Sequence, residues 1–286
     1  MDPRFRGDDE REVYIQGDDT VTRVLLVGCG KMGSAMLNGW LDRGMDPAGL
    51  VVVEPGQTAR DAFAPKGVTV VETADAIASA YSPDVVVLAV KPQVMEAVAP
   101  AYAKYKDSVF LSIAAGKPIA FFARLLGDSA IVRAMPNTPA AVRSGITVCV
   151  PNAKVDAPRR AACQALLEAV GEVAWTDDES LMDAVTAVSG SGPAYVFLLA
   201  EVMAKAGVAA GLPADLATRL ARATVSGSGD LLRASADSAE QLRINVTSPG
   251  GTTAAALNVL MAEGRGFDEL MTQAVAAAVT RGKELA

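Results

Sequence analysis

The sequence predicts an α/β fold, a doubly wound sheet followed by an all-helical domain. Short runs of valine, isoleucine and leucine alternate with helical patterns from Thr22 to Trp175, as in a parallel sheet with helices on both faces. A glycine-rich turn joins the first run to the first helical pattern, and after Trp175 the strand signals stop.

Taken in order, residues 1–20 (M-D-P-R-F-R-G-D-D-E-R-E…) are charged and aperiodic. They lack the apolar stretch of a signal peptide and read as a disordered N-terminal extension. The expected strands are Val24–Val27, Leu50–Val53, Val68–Val71, Val85–Val90, Val109–Ile113, Ile131–Ala134, Ile146–Val150 and Glu172–Trp175. Several are almost wholly Val, Ile and Leu, which fits strands buried on both faces. Helices then run from Ser180, with breaks expected at Gly211–Leu212–Pro213, Ser248–Pro249–Gly250–Gly251 and Gly264–Arg265–Gly266. A boundary near Asp178 divides the chain into residues 21–178, a sheet domain, and 179–286, a helical domain.

The stretch V-L-L-V-G-C-G-K-M-G-S-A places Gly28, Gly30 and Gly33 between a strand and a helix that runs through Trp40. That order suits a dinucleotide. The first glycine permits the turn, the second lets a pyrophosphate approach the backbone, and the third lets helix pack on strand. The residues between them, Cys29, Lys31 and Met32, present the N–H groups of a helix start to the phosphates. Glu54 ends the second strand, about 20 residues past Gly33, where a carboxylate accepts ribose hydroxyls and repels a 2′-phosphate. Thr58 and Arg60 lie close by and could serve a phosphate, so NADH and NADPH both stay open.

Two loops follow strands, where open sheets place ligands. One is Ala89-Val90-Lys91-Pro92-Gln93, also readable as a plain helix entry with proline at its first position. The other is Arg133-Ala-Met-Pro-Asn-Thr-Pro139, whose prolines make it rigid. In the helical part, Ser189-Gly-Ser-Gly-Pro-Ala-Tyr195 reads as a close helix crossing. Val246-Thr-Ser-Pro-Gly-Gly-Thr-Thr253 reads as a helix start with Ser248 as N-cap and Pro249 at the first position. Two glycines there disfavour a helix by about 1 kcal/mol each. An anion resting on the N–H groups of Gly250, Gly251, Thr252 and Thr253, beside the Ser248 and Thr253 hydroxyls, accounts for them.

Composition narrows the chemistry. The chain has 286 residues, 51% of them apolar, and a net charge of −7 that argues against nucleic acid. No unbroken apolar run reaches the ~18 residues of a membrane span, so a soluble protein without a membrane partner is expected. Cys29, Cys149 and Cys163 have no metal or redox spacing and suit a reducing cytoplasm. There is no histidine, which removes Ser-His and Cys-His schemes and most zinc sites.

A-V-K-P-Q, R-A-M-P-N-T-P, S-G-S-G-P-A-Y and V-T-S-P-G-G-T-T, following G-C-G-K-M-G, resemble pyrroline-5-carboxylate reductase from about Thr22 to the C-terminus. The resemblance implies a Rossmann-type domain, a helical substrate-binding and dimerisation domain, and reduction of 1-pyrroline-5-carboxylate to L-proline by NADPH or NADH. It places Gly28 to Gly33 on the pyrophosphate and Ala89, Val90, Lys91 and Pro92 near the nicotinamide. It places Ser248 and Gly250 to Thr253 on the substrate, with the Thr253 hydroxyl at the imine nitrogen. Thr73 stands where many relatives carry an asparagine near the cofactor ribose. A cyclic imine that enters as an iminium already carries its proton, which fits a chain without histidine. A hydroxyacid dehydrogenase-like enzyme, another imine reductase and a non-catalytic cofactor sensor are the alternatives. After Asp178 only Lys205 and Lys283 could supply the lysine that the first alternative uses. The segments Ala194–Ala204 and Leu270–Val279 are apolar almost all round, which predicts a homodimer or larger homo-oligomer joined through the helical domains.

Overall fold

The computed structural model describes residues 22–285; the extension read at residues 1–20 lies outside them. Eight strands form one sheet: β1 Val24–Val27, β2 Leu50–Val53, β3 Thr69–Val71, β4 Val85–Leu88, β5 Val109–Ser112, β6 Ala130–Met135, β7 Gly145–Pro151 and β8 Gly171–Trp175. Their spatial order is β3-β2-β1-β4-β5-β6-β7-β8. Each strand lies on the run that predicted it, with small shifts at the ends. The linking helices are α1 Lys31–Asp42, α2 Gln57–Phe63, α3 Met95–Val98, α4 Ile119–Leu126 and α5 Ala157–Glu168.

β1 and β4 are buried along their whole length because each pleat face meets its own core. Val24 and Leu26 join Met36, Leu37 and Trp40 of α1 and Leu166 and Leu167 of α5. Leu25 and Val27 join Met95 of α3 and Phe122 and Leu126 of α4 on the other side. Trp40 Nε1 donates to the Leu166 carbonyl at 2.8 Å, so the largest core side chain leaves no polar atom unpaired. The chain winds from β1 toward β3, then returns to place β4 on the other side of β1. That reversal opens a crevice at the carboxyl ends of β1 and β4.

The sheet is mixed, a correction to the parallel sheet expected from the alternation of elements. β7 runs antiparallel to β6, with Met135 opposite Val148. Only residues 136–144 join them, with one 3₁₀ turn over Thr138–Val142, too short for the crossover of a dozen or so residues that a parallel return requires.

After β8, the turn Glu179–Leu181 leads into α6 Met182–Val185, a π-helical turn Thr186–Gly190, α7 Gly192–Ala209, α8 Ala214–Ala234, α9 Ala239–Asn245, α10 Thr252–Leu260 and α11 Phe267–Leu285. The breaks fall where glycine and proline placed them. A further one, between α8 and α9, was not anticipated although its signal is present. Ser238 caps α9 through the Gln241 N–H at 3.1 Å, the start of an S-x-x-Q pattern. The continuous helical stretch 179–209 is long and apolar enough to cross a membrane by length and composition alone. Counting unbroken apolar runs missed it because Asp183, Glu201 and the Ser-Gly segment interrupt the pattern. α7 and α8 pack on each other, α11 crosses α6 and the π-helical turn, and α9 and α10 pack extensively on no part of the sheet. Phe197 is 67% exposed, Leu270 58% and Val259 70%.

Candidate cofactor and substrate site

The glycine turn is built as its spacing implied. Gly28 has φ +91°, and a side chain there would meet Val90 Cγ1 at 2.8 Å and the Ala89 carbonyl at 3.0 Å. A Cβ on Gly33 would run into the Gly28 carbonyl oxygen. The structure therefore brings Gly28, Gly33, Ala89 and Val90 together at the crevice between β1 and β4. Gly30 has open space where a Cβ would be and serves as N-cap of α1 without a side-chain cap. Among the described residues the N–H groups of Lys31, Met32 and Gly33 have no acceptor, while Ser34 N–H closes the first helical bond to Gly30. Free donors beside a bare glycine fit a pyrophosphate.

Cys29 is held from three directions. Its N–H donates to Glu54 Oε2 at 2.8 Å, its carbonyl accepts from Ser34 Oγ at 2.9 Å, and its thiol lies 3.4 Å from Ser34 Oγ. Burial raises the thiol pKa, opposed by the Ser34 hydrogen bond and reinforced by the Glu54 charge, so Cys29 stays a protonated packing residue. The other Glu54 oxygen accepts from Gly56 N–H at 3.0 Å. The acid read for the ribose is thus turned against the glycine turn. Arg60 pairs with Glu72 at 2.6 Å. Lys91 caps a 3₁₀ turn with Pro92 at its first position, the plain helix entry that was the second reading of that loop.

The Arg133–Pro139 segment does more than supply rigidity. Arg133, Met135 and Asn137 alternate along one line, and all three meet the first part of the helical region. Arg133 Nη1 lies 2.9 Å from Glu179 Oε1, which also accepts Ile119 N–H at 2.8 Å. Asn137 Nδ2 donates to Ser189 Oγ at 3.3 Å. Met135 Cε fills the place that a Gly190 side chain would take, so Gly190 serves a strand contact, whereas Gly192 has nothing near it. The helix-crossing reading is corrected accordingly for Gly190. The one sequence signal for this junction was an arginine inside an otherwise apolar strand run. Removing the Glu179 carboxylate strands a guanidinium on a residue only 7% exposed. Glu179→Ala is therefore expected to cost about 1–3 kcal/mol, read as a lower urea midpoint.

The Gly-Gly segment departs from its predicted form. Ser248 does not cap a helix. The Gly251 N–H donates to the Ser248 carbonyl at 3.0 Å, Pro249 takes the second position, and Gly250 adopts φ +70°. These are the features of a type II turn, where the third position demands glycine. α10 starts only at Thr252, with Gly251 as N-cap and no side chain capping it. Since Gly251 N–H is taken, the donors without a partner among the described residues are those of Thr252, Thr253 and Ala254. Thr186, Thr218, Thr247 and Thr280 each bond the carbonyl four residues back. The Thr253 hydroxyl makes no such bond among the described residues. Among the described residues of one chain, α10 packs extensively on neither α1 nor the strands beside the glycine turn.

Comparison with known proteins follows the same division. The family model described as "Pyrroline-5-carboxylate reductase dimerisation" matches residues 179–285, and "NADP oxidoreductase coenzyme F420-dependent" matches residues 23–116. Pyrroline-5-carboxylate reductase of Pseudomonas aeruginosa is 42% identical over 267 residues, 92% of this chain and 97% of that protein. The Synechocystis enzyme of the same name is 40% identical over 91% of this chain and 97% of its own length. The structure of a pyrroline-5-carboxylate reductase from Coxiella burnetii superposes with a TM-score of 0.87 at 35% identity, covering 93% of this chain and 99% of that one. The Plasmodium falciparum pyrroline carboxylate reductase, solved with NADP bound, gives 0.78 at 28% identity, covering 92% and 98%.

Proposed function

This chain belongs to the pyrroline-5-carboxylate reductase family, and from that premise we propose how its own residues divide the reaction. The protein reduces 1-pyrroline-5-carboxylate to proline with NAD(P)H, a step of proline biosynthesis. Gly28, Cys29, Gly30, Lys31, Met32 and Gly33 form the pyrophosphate seat, supported by the free N–H groups at the start of α1. Ala89 and Val90, which back that seat, border the nicotinamide together with Lys91 and Pro92. The bound cofactor supplies the hydride.

The substrate carboxylate rests on the start of α10. The carrying observation is a bare Gly250-Gly251 turn ahead of three N–H groups and a threonine hydroxyl that have no partner among the described residues. Ser248, Gly250, Gly251, Thr252 and Thr253 then hold the substrate, with Thr253 Oγ at the imine nitrogen. No strong acid is required, because the iminium arrives protonated; orientation supplies most of what the site must do. The alternative that relies on a helical-domain lysine loses support: Lys205 Nζ sits 2.5 Å from Glu201 on an exposed face of α7. The test is NADH or NADPH oxidation by the purified protein with 1-pyrroline-5-carboxylate. No oxidation with either cofactor would sink the reading.

The isolated helical region leaves too much apolar surface in water for a monomer. We assign that surface, the 179–209 stretch included, to a homodimer or larger homo-oligomer with the active site near the subunit interface. Light scattering at micromolar protein is expected to give a dimer or a multiple of it; a monodisperse monomer would refute this. A net charge of −7 and three unpaired, buried cysteines support a cytoplasmic protein without nucleic-acid partners.

A further inference from the structure

The edge of the sheet beyond β2 carries two carboxylates and one arginine whose arrangement bears on cofactor choice. Glu54 N–H donates to the Val71 carbonyl at 2.9 Å, continuing the β2–β3 ladder, so Glu54 and Glu72 leave the same sheet edge side by side. They point to different work. Glu54 is half-buried, and its two oxygens take the N–H groups of Cys29 and Gly56. Its charge faces the glycine turn and is offset by those donors. Glu72 is exposed and holds Arg60 Nη2 at 2.6 Å, while Arg60 Nη1 reaches Gln57 Oε1 at 3.2 Å.

In folds of this kind the ribose lies at the end of the second strand, and an arginine nearby accommodates a 2′-phosphate. Arg60 is the one cation on α2, and the next, Lys66, is engaged with Asn38 and the Phe63 ring. A 2′-phosphate must therefore take Arg60 from Glu72, and it must do so beside the Glu72 charge. Glu54 adds no comparable obstacle, because its carboxylate is directed inward.

We propose that Glu72 is the residue that discriminates against a 2′-phosphate, by holding Arg60, and that Glu54 is a positioning residue that locks the glycine turn through Cys29 and Gly56. This rests on the assignment of Gly28 to Gly33 as the cofactor seat. It reverses the role that the strand-end acid suggested from sequence, since removing Glu54 then weakens both cofactors together.

The test compares kcat/KM for NADPH and NADH in the wild type, Glu72→Gln, Glu72→Gln/Arg60→Ala, Glu54→Gln and Gly30→Val. Glu72→Gln is expected to raise the NADPH/NADH ratio about fivefold, the scale of a solvent-exposed charge interaction, and the added Arg60→Ala to cancel that gain. Glu54→Gln is expected to raise KM for both cofactors by a similar factor, with kcat and thermal midpoint little changed. A Glu72→Gln ratio equal to wild type, or a ratio raised by Glu54→Gln, overturns the inference. Gly30→Val separates this from the underlying assignment. If it weakens both cofactors, the seat stands and the ratios decide; if both still bind as in wild type, seat and inference fall together.

Discussion

Replacing Gly251 by valine is expected to raise KM for 1-pyrroline-5-carboxylate roughly a hundredfold, the equivalent of losing one or two charge-assisted hydrogen bonds. Gly251 is the N-cap of α10 in extended backbone, so its value lies in the missing side chain. A Cβ there already sits 3.1 Å from the Ser248 carbonyl oxygen. A branched side chain would also cover the Thr252, Thr253 and Ala254 N–H groups that the substrate carboxylate is proposed to use. The cofactor seat is on another element, so KM for NAD(P)H should move little. Steady-state kinetics with each substrate varied in turn checks this. Equal rises in both constants would show a general loss of fold, and an unchanged substrate KM would remove the carboxylate from this helix start.

That position also shows what sequence could and could not convey. Proline followed by two glycines fits both the first turn of a helix and a type II turn, because proline's fixed φ suits position N1 and position i+1 alike. The positive φ of Gly250 decides between them, and φ is not written in composition. The two readings move the helix start from Pro249 to Thr252 and change which N–H groups are free. Either start offers N–H groups to an anion, but the donors it offers shift along the chain.

The sheet was more legible. Strands such as Val85–Leu88 are buried on both faces, so they appear as unbroken apolar runs with little to confuse them. The direction of β7 was not legible, because it depends on the length and path of residues 136–144 rather than on the strand's own residues. Side-chain partners distant in sequence were hidden for a similar reason. That Glu54 faces Cys29, or that Glu72 holds Arg60, follows from how β1, β2 and β3 align. Glu54 was found by its position, and its direction came only with the fold. The apolar stretches of α7 and α11, by contrast, announced an unmet need for burial that the exposed Phe197 and Leu270 display.

Thr253→Ala should separate binding from chemistry at the same helix start. The substitution keeps the backbone N–H and a helix-favouring side chain, and removes only the hydroxyl. That hydroxyl has no hydrogen-bond partner among the described residues, whereas those of Thr186, Thr218, Thr247 and Thr280 bond the carbonyl four residues back. If it contacts the imine nitrogen, its hydrogen bond changes as hydride arrives, when the nitrogen loses its positive charge and gains a lone pair. The hydroxyl can then turn from acceptor to donor without moving. A transition-state interaction of about 1.5–3 kcal/mol corresponds to roughly a ten- to two-hundredfold fall in turnover, with a smaller change in substrate KM. The loss should be partial, because the iminium is already activated and no covalent step depends on Thr253. Single-turnover hydride transfer at saturating substrate, wild type against Thr253→Ala, reads this directly. Equal rates would leave Thr253 with a helix-start role alone, whereas a slowed rate with an intact substrate KM assigns the hydroxyl to the reacting nitrogen.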